Sequence, residues 1–176
     1  MNNTNNTVVL LRGELTKKRL DRARLEMLQQ IPTATSLTLV IDSQEGGYTK
    51  PACEFVEFLT KLRQQHGVSI KTRIYNAYSA AAGIALVAEE RELDSKGALE
   101  LHIGSLVIES NEVGTDNTIS PRLVEYLHRW KNLLYARLDT IKPGLTPQNL
   151  ARLNATNHLH LTPDEWLQSG VVTKLF

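Results

Sequence analysis

Asn76-Ala77-Tyr78-Ser79-Ala80-Ala81-Ala82-Gly83 is the stretch that decides how this chain is read. It continues through Ile84-Ala85-Leu86-Val87-Ala88, so a serine stands at the mouth of a helix that is apolar on every side. A helix of that kind has no face suited to water and must be buried. Its first turn leaves N–H groups without partners and carries the positive end of the helix dipole. A hydroxyl there suits a nucleophile whose attack creates an oxyanion. Serine is also a preferred N-cap, and a plain capping role for Ser79 is the competing reading. Twenty-three residues further on lies His102, in the run Ala98-Leu99-Glu100-Leu101-His102-Ile103-Gly104. Strand alternation puts Leu99, Leu101 and Ile103 on one face and Ala98, Glu100 and His102 on the other. The histidine therefore points away from the apolar side, as a surface histidine or as a base.

Composition narrows the classes. At 176 residues the chain is long enough for one domain with a real core, expected over 8–176 after a disordered 1–7. A net charge of +1 argues neither for nucleic acid nor for a membrane surface. The basic cluster Lys17-Lys18-Arg19, Arg22 and Arg24 has no aromatic interleaving and reads as a solvated helix face or a subunit contact. Cys53 is the single cysteine, which rules out an internal disulfide; its helical setting suits a half-buried small residue rather than a reactive thiol. No apolar run has the length of a membrane span, and the opening Met-Asn-Asn-Thr-Asn-Asn-Thr is unlike a signal peptide, so a cytoplasmic protein is expected.

Working outward from Ser79, strands and helices alternate. Strands are expected at 8–11, 37–41 and 68–74, and helices at 16–30 and 50–65, the latter with Ala52, Phe55, Val56, Leu59 and Leu62 on one stripe. That order implies a mainly parallel sheet with crossover helices. Beyond the Ser79 helix, short strands are expected at 92–94 and 98–108, then a polar segment, 109–120. Pro121 opens a long helix to about 141, with Leu123, Leu127, Trp130, Leu134 and Leu138 at helical spacing. Tyr126, Leu133 and Tyr135 broaden its apolar surface beyond one stripe, which calls for more than one partner surface. Thr162-Pro163-Asp164-Glu165 is a capping box, Gly170 a C-terminal cap, and Val171-Val172 a last short strand. His158 and His160 alternate in one loop without a cysteine or a second close acidic ligand, so no metal is assigned. There is no P-loop, no G-x-G-x-x-G and no G-x-S-x-G.

Four segments together resemble ClpP, the proteolytic subunit of the Clp protease, within the ClpP/crotonase superfamily. They are LTLVIDSQEGG (37–47), YNAYSAAAG (75–83), LELHIG (99–104) and LTPDEWLQSGVV (161–172). The resemblance implies an α/β fold of repeated β-β-α units with a mainly parallel sheet and a projecting handle helix. It makes Ser79 the nucleophile and His102 the general base, which takes the hydroxyl proton and returns it to the leaving amine. The oxyanion hole would come from backbone N–H groups at Gly46 or Gly47 and at Ala80. Ser43-Gln44-Glu45-Gly46-Gly47 is one residue longer than the family's Ser-Pro-Gly-Gly and has no proline, so either glycine fits. For the family's aspartate, counting forward gives Asn157 and counting back gives His158, with Asp164 and Asp139 as fallbacks.

The implied activity is hydrolysis of peptide bonds in unfolded polypeptides, without a cofactor. It would take place inside a homo-oligomer of stacked rings, joined through 109–141 and fed by an AAA+ unfoldase. Two other readings stand beside it. The missing carboxylate favours a catalytically degenerate ring subunit or scaffold, and the fold is shared with crotonase-type acyl-CoA enzymes, which do not need a Ser-His pair.

Overall fold

The computed structural model describes residues 5–31, 34–102, 121–141, 145–156 and 158–176. Four strands and three helices alternate through the first part: β1 (Asn6–Arg12), α1 (Lys17–Gln30), β2 (Ser36–Ser43), α2 (Thr49–His66), β3 (Ser69–Tyr78), α3 (Ala80–Ala85) and β4 (Glu90–His102). Then come α4 (Pro121–Ile141), α5 (Pro147–Thr156), β5 (His158–His160), α6 (Pro163–Gln168) and β6 (Lys174–Leu175). The sheet order is β1-β2-β3-β4-β5, with β6 also on β4. Each neighbouring pair from β1 to β4 is parallel, β5 runs antiparallel to β4, and β6 is parallel to it. The architecture is a mixed α/β fold with a mainly parallel sheet. Among the described residues no helix is long and apolar enough to cross a membrane.

Sequence pattern explains most of these elements. Side chains of β1 and β2 alternate strictly between buried and open. Val9, Leu11, Leu39, Ile41, Ile70 and Ile74 therefore face Leu20, Met27, Phe55 and Leu59 of α1 and α2 in one core. Thr16 caps α1, its side chain accepting from Arg19 N, and Gly67 at φ 65° ends α2 with its N–H on Arg63 O (3.0 Å). Both halves of the capping box at Thr162 and Glu165 are formed. Cys53 is fully buried rather than half-buried, and desolvation pushes its thiol up to about 11, far from a reactive thiolate.

Four expectations are corrected. β1 begins at Asn6, not Val8: Thr7 is buried, and Asn6 Oδ1 accepts from Ser36 Oγ and Thr38 Oγ1 at 3.1 Å each. The two short strands expected at 92–94 and 98–108 are, as far as described, one strand with an excursion. Its pairing with β3 passes from Ile74↔Leu93 to Asn76↔Ala98, and Asp94 Oδ1 accepts from Lys96 N (2.7 Å) to close the excursion. Gly97 has to be glycine there, because a Cβ would overlap Tyr75 O. Helix α3 stops at Ala85, short of the expected Ala88. Val171 and Val172 are buried but unpaired. Val172 N still bonds Trp166 O behind α6, so backbone bonding to β4 starts only with Thr173 N on Arg91 O. The strand expected at 103–108, the polar segment 109–120, Asn157 and the side chains of Leu123, Leu127, Tyr135 and Leu138 lie outside the described residues.

Around α3 the structure is unusually constrained. Gly83 faces the Trp130 ring, where a Cβ would overlap it, so α4 lies directly on α3. Behind α3, Arg137 donates to Leu86 O and Val87 O, while Arg91 donates to Ala88 O and Glu89 O. Arg137 thus meets the C-cap carbonyl of the helix whose other end carries Ser79, and Arg91 holds the segment that leaves it.

Candidate active site

Ser79 is the single non-glycine residue with positive φ among the described residues, at φ 56° and ψ −122°. Such a conformation costs about 1–3 kcal/mol and persists only where the surroundings over-determine it. Here both backbone groups are held: Ser79 N–H donates to Glu100 O and its carbonyl accepts from Gly83 N, each at 3.2 Å. In the turn from β3 into α3 the Ser79 side chain makes no capping bond. Ser79 thus stands at the N-cap position of α3 with its backbone, while its hydroxyl does not serve as the cap.

The hydroxyl faces an open cavity of about 300 Å³. Gln44, Glu45, Gly47 and Thr49 line it from the turn after β2; Tyr78, Ser79 and Ala80 from the β3–α3 junction; Glu100 and His102 from β4; Trp130 from α4; and His158 from β5. The N-termini of α2 and α3 both open onto this space, through Thr49 and Ala80. Gly46 sits behind the serine at φ 68°, where a Cβ would lie 2.7 Å from Ser79 Cβ. Its N–H donates to Ser43 Oγ (3.1 Å) and its carbonyl accepts from Leu15 N (2.7 Å). Gly47, by contrast, lines the cavity.

His102 is half-buried, and its pKa lies below the ordinary 6.5. Burial is the main cause, the charge of His158 adds to it, and Glu100 opposes it. The imidazole is thus held neutral at neutral pH, the state a general base needs. Strand pairing sets His158 directly opposite His102, with the rings stacked at a centroid distance of 5.1 Å and 28° between planes. Stacked rings present faces, not edges, so His158 does not make the edge-on hydrogen bond of a third triad member. Its Nδ1 lies 2.8 Å from Glu100 Oε1 instead. Asp139 and Asp164 are exposed on α4 and α6, and neither lines the cavity.

The fold brings Ser79, His102, Gly47, Ala80 and His158, all site candidates from sequence, to one cavity, and adds Glu100, Tyr78, Thr49 and Trp130, which sequence gives no role in the site. Glu100 was visible as a carboxylate on the same strand face as His102. The other three reach the cavity through tertiary contacts that no local pattern announces.

This is a ClpP-like fold. A point mutant of ClpP1 from Listeria monocytogenes matches it with a TM-score of 0.68, over 96% of this chain and 90% of that one, at 16% sequence identity. At that identity the likeness is one of fold. No family model matches the sequence, and no curated protein matches it.

Proposed function

We propose that the protein is a ClpP-like serine peptidase, a single domain that hydrolyses peptide bonds of unfolded polypeptides. The observation that carries this reading is the strained φ of Ser79, which turns its hydroxyl into the cavity that His102 also lines. In this mechanism His102 takes the proton as Ser79 Oγ attacks the scissile carbonyl, then returns it to the leaving amine. The oxyanion is held by backbone N–H groups of Gly47 and Ala80, since Gly46 N–H is already given to Ser43. Asn157 remains the proposed orienting residue, and no cofactor takes part. A fluorophosphonate probe is expected to react at Ser79, with the adduct located by peptide mapping. No adduct, or one on another serine, overturns the proposal.

A homo-oligomer of stacked rings is proposed as the working form, in the cytoplasm and with an AAA+ unfoldase as partner. The ClpP-like fold supports it, as do the exposed apolar side chains Val8 and Leu10 on β1 and Val124 on α4. Light scattering at micromolar concentration is expected to give a multiple of the 19.7 kDa chain mass, and a clean monomer refutes the ring. One observation favours a degenerate ring subunit instead: among the described residues no carboxylate is hydrogen-bonded to the His102 ring. That reading predicts the ring without the adduct.

A further inference from the structure

The carboxylate nearest in role to the missing aspartate lies on the same strand as the base. Glu100 and His102 are two residues apart on β4 and share the face that meets the cavity. Opposite them β5 places His160 against Glu100 and His158 against His102. Glu100 does not bond straight across. Its Oε1 reaches diagonally to His158 Nδ1 at 2.8 Å, and the His158 ring stacks on His102 with 5.1 Å between centroids and a tilt of 28°. The Glu100 side chain is 24% exposed, so water does not fully screen its charge.

We propose that Glu100 and His158 form a positioning pair for His102. The carboxylate fixes the His158 ring, the stacked ring fixes the imidazole plane, and the negative charge supports the imidazolium that forms when Ser79 is deprotonated. This rests on reading Ser79 and His102 as nucleophile and base. The pair supplies from the strand face the counter-charge that an amide such as Asn157 cannot, and a stacked partner for the imidazole plane.

The two members act on His102 with opposite sign. A carboxylate favours the imidazolium and raises its pKa, whereas a second imidazole that takes up a proton lowers it. The other titratable groups facing this site are Glu45 from the β2 turn, Tyr78 from β3 and His160 from β5.

Histidine NMR titration of the full chain tests this, with fluorophosphonate labelling of Ser79 read in parallel. Glu100→Gln keeps shape and a hydrogen-bonding group but removes the charge. His158→Phe keeps a stacked ring but removes Nδ1. In Glu100→Gln the His102 midpoint is expected to fall by about half a unit or more, and in His158→Phe to rise by a similar amount. Labelling is expected to slow in both, by about tenfold in Glu100→Gln. Glu45→Gln, which removes the other carboxylate of the cavity, is expected to leave the midpoint in place. An unmoved His102 midpoint in both test variants, or shifts of the same sign, overturns the proposal while wild-type labelling at Ser79 leaves the peptidase reading intact. Absence of labelling in the wild type defeats the peptidase reading and the positioning role with it, whatever the midpoints.

Discussion

Arg91→Ala is expected to lower the stability of the fold by about 3–5 kcal/mol, read as a fall in the urea midpoint at unchanged slope. The Arg91 side chain is buried and meets carbonyls: Ala88 and Glu89 on the exit from α3, Gly170 and Val171 behind α6. Burial holds its pKa below the ordinary guanidinium value, with Arg137 nearby adding to the depression and Glu89 opposing it. Truncation leaves those carbonyls without their donor, and each buried acceptor so orphaned costs about 1–3 kcal/mol. The sum is smaller than four times that range because water reaches the exposed Gly170 side. The same residue stitches its backbone to Thr173, with Thr173 N on Arg91 O at 2.8 Å and Arg91 N on Thr173 Oγ1 at 2.8 Å. Those bonds survive the substitution, so the loss reports the guanidinium alone. Arg91→Lys is expected to fall between, since one ammonium cannot span acceptors on two segments. A midpoint unchanged in Arg91→Ala refutes this account of how the end of α3 is held.

Gly46→Ala is expected to slow fluorophosphonate labelling of Ser79 by more than about 100-fold, the scale on which misplacement of reacting groups acts. It is also expected to lower stability by about 2–4 kcal/mol, from the positive φ and the overlap together. The new Cβ would lie 2.7 Å from Ser79 Cβ, 2.8 Å from Tyr78 O and 3.3 Å from Ser79 Oγ. Something must shift, and what lies there is the strained serine turn itself. Gly67→Ala is the control. Gly67 has nearly the same φ, 65° against 68°, but a Cβ there meets nothing within 4 Å. It is expected to cost only the conformational part, about 1–2 kcal/mol, and to leave labelling alone. If the two variants behave alike, Gly46 is an ordinary turn glycine and the close contact has no functional weight.

Local pattern settled much of this protein. Alternation in β1 and β2, the helical stripe of α2, the Thr162–Glu165 capping box and the all-apolar α3 are each written in short runs of sequence. The order of those runs already implied parallel pairing, and strand alternation put His102 on the polar side of its strand. What the runs could not carry is distance. That the Ser79 hydroxyl is no cap shows only in the folded backbone, where φ is 56°, Glu100 O holds the N–H and Gly83 N holds the carbonyl. Which glycine has its N–H to give to an oxyanion was open in the sequence; the bond from Gly46 N to Ser43 Oγ separates Gly46 from Gly47.

Equally, β4 looked like two strands because its excursion at Gly97 interrupts the pattern, while β3 pairs with both halves. Glu100 could be placed on a face from sequence, but its partner could not. His158 is fifty-eight residues away, brought there by antiparallel pairing that one-residue counting along the chain does not specify. Sequence by itself determined which residues are apolar, which hydrogen-bond, and with what period they recur, because those are properties of a few neighbouring side chains. Only the tertiary structure decided which polar groups meet across the cavity, because each such meeting closes a long loop, and the sheet register that closes it is set by the packing of the whole core.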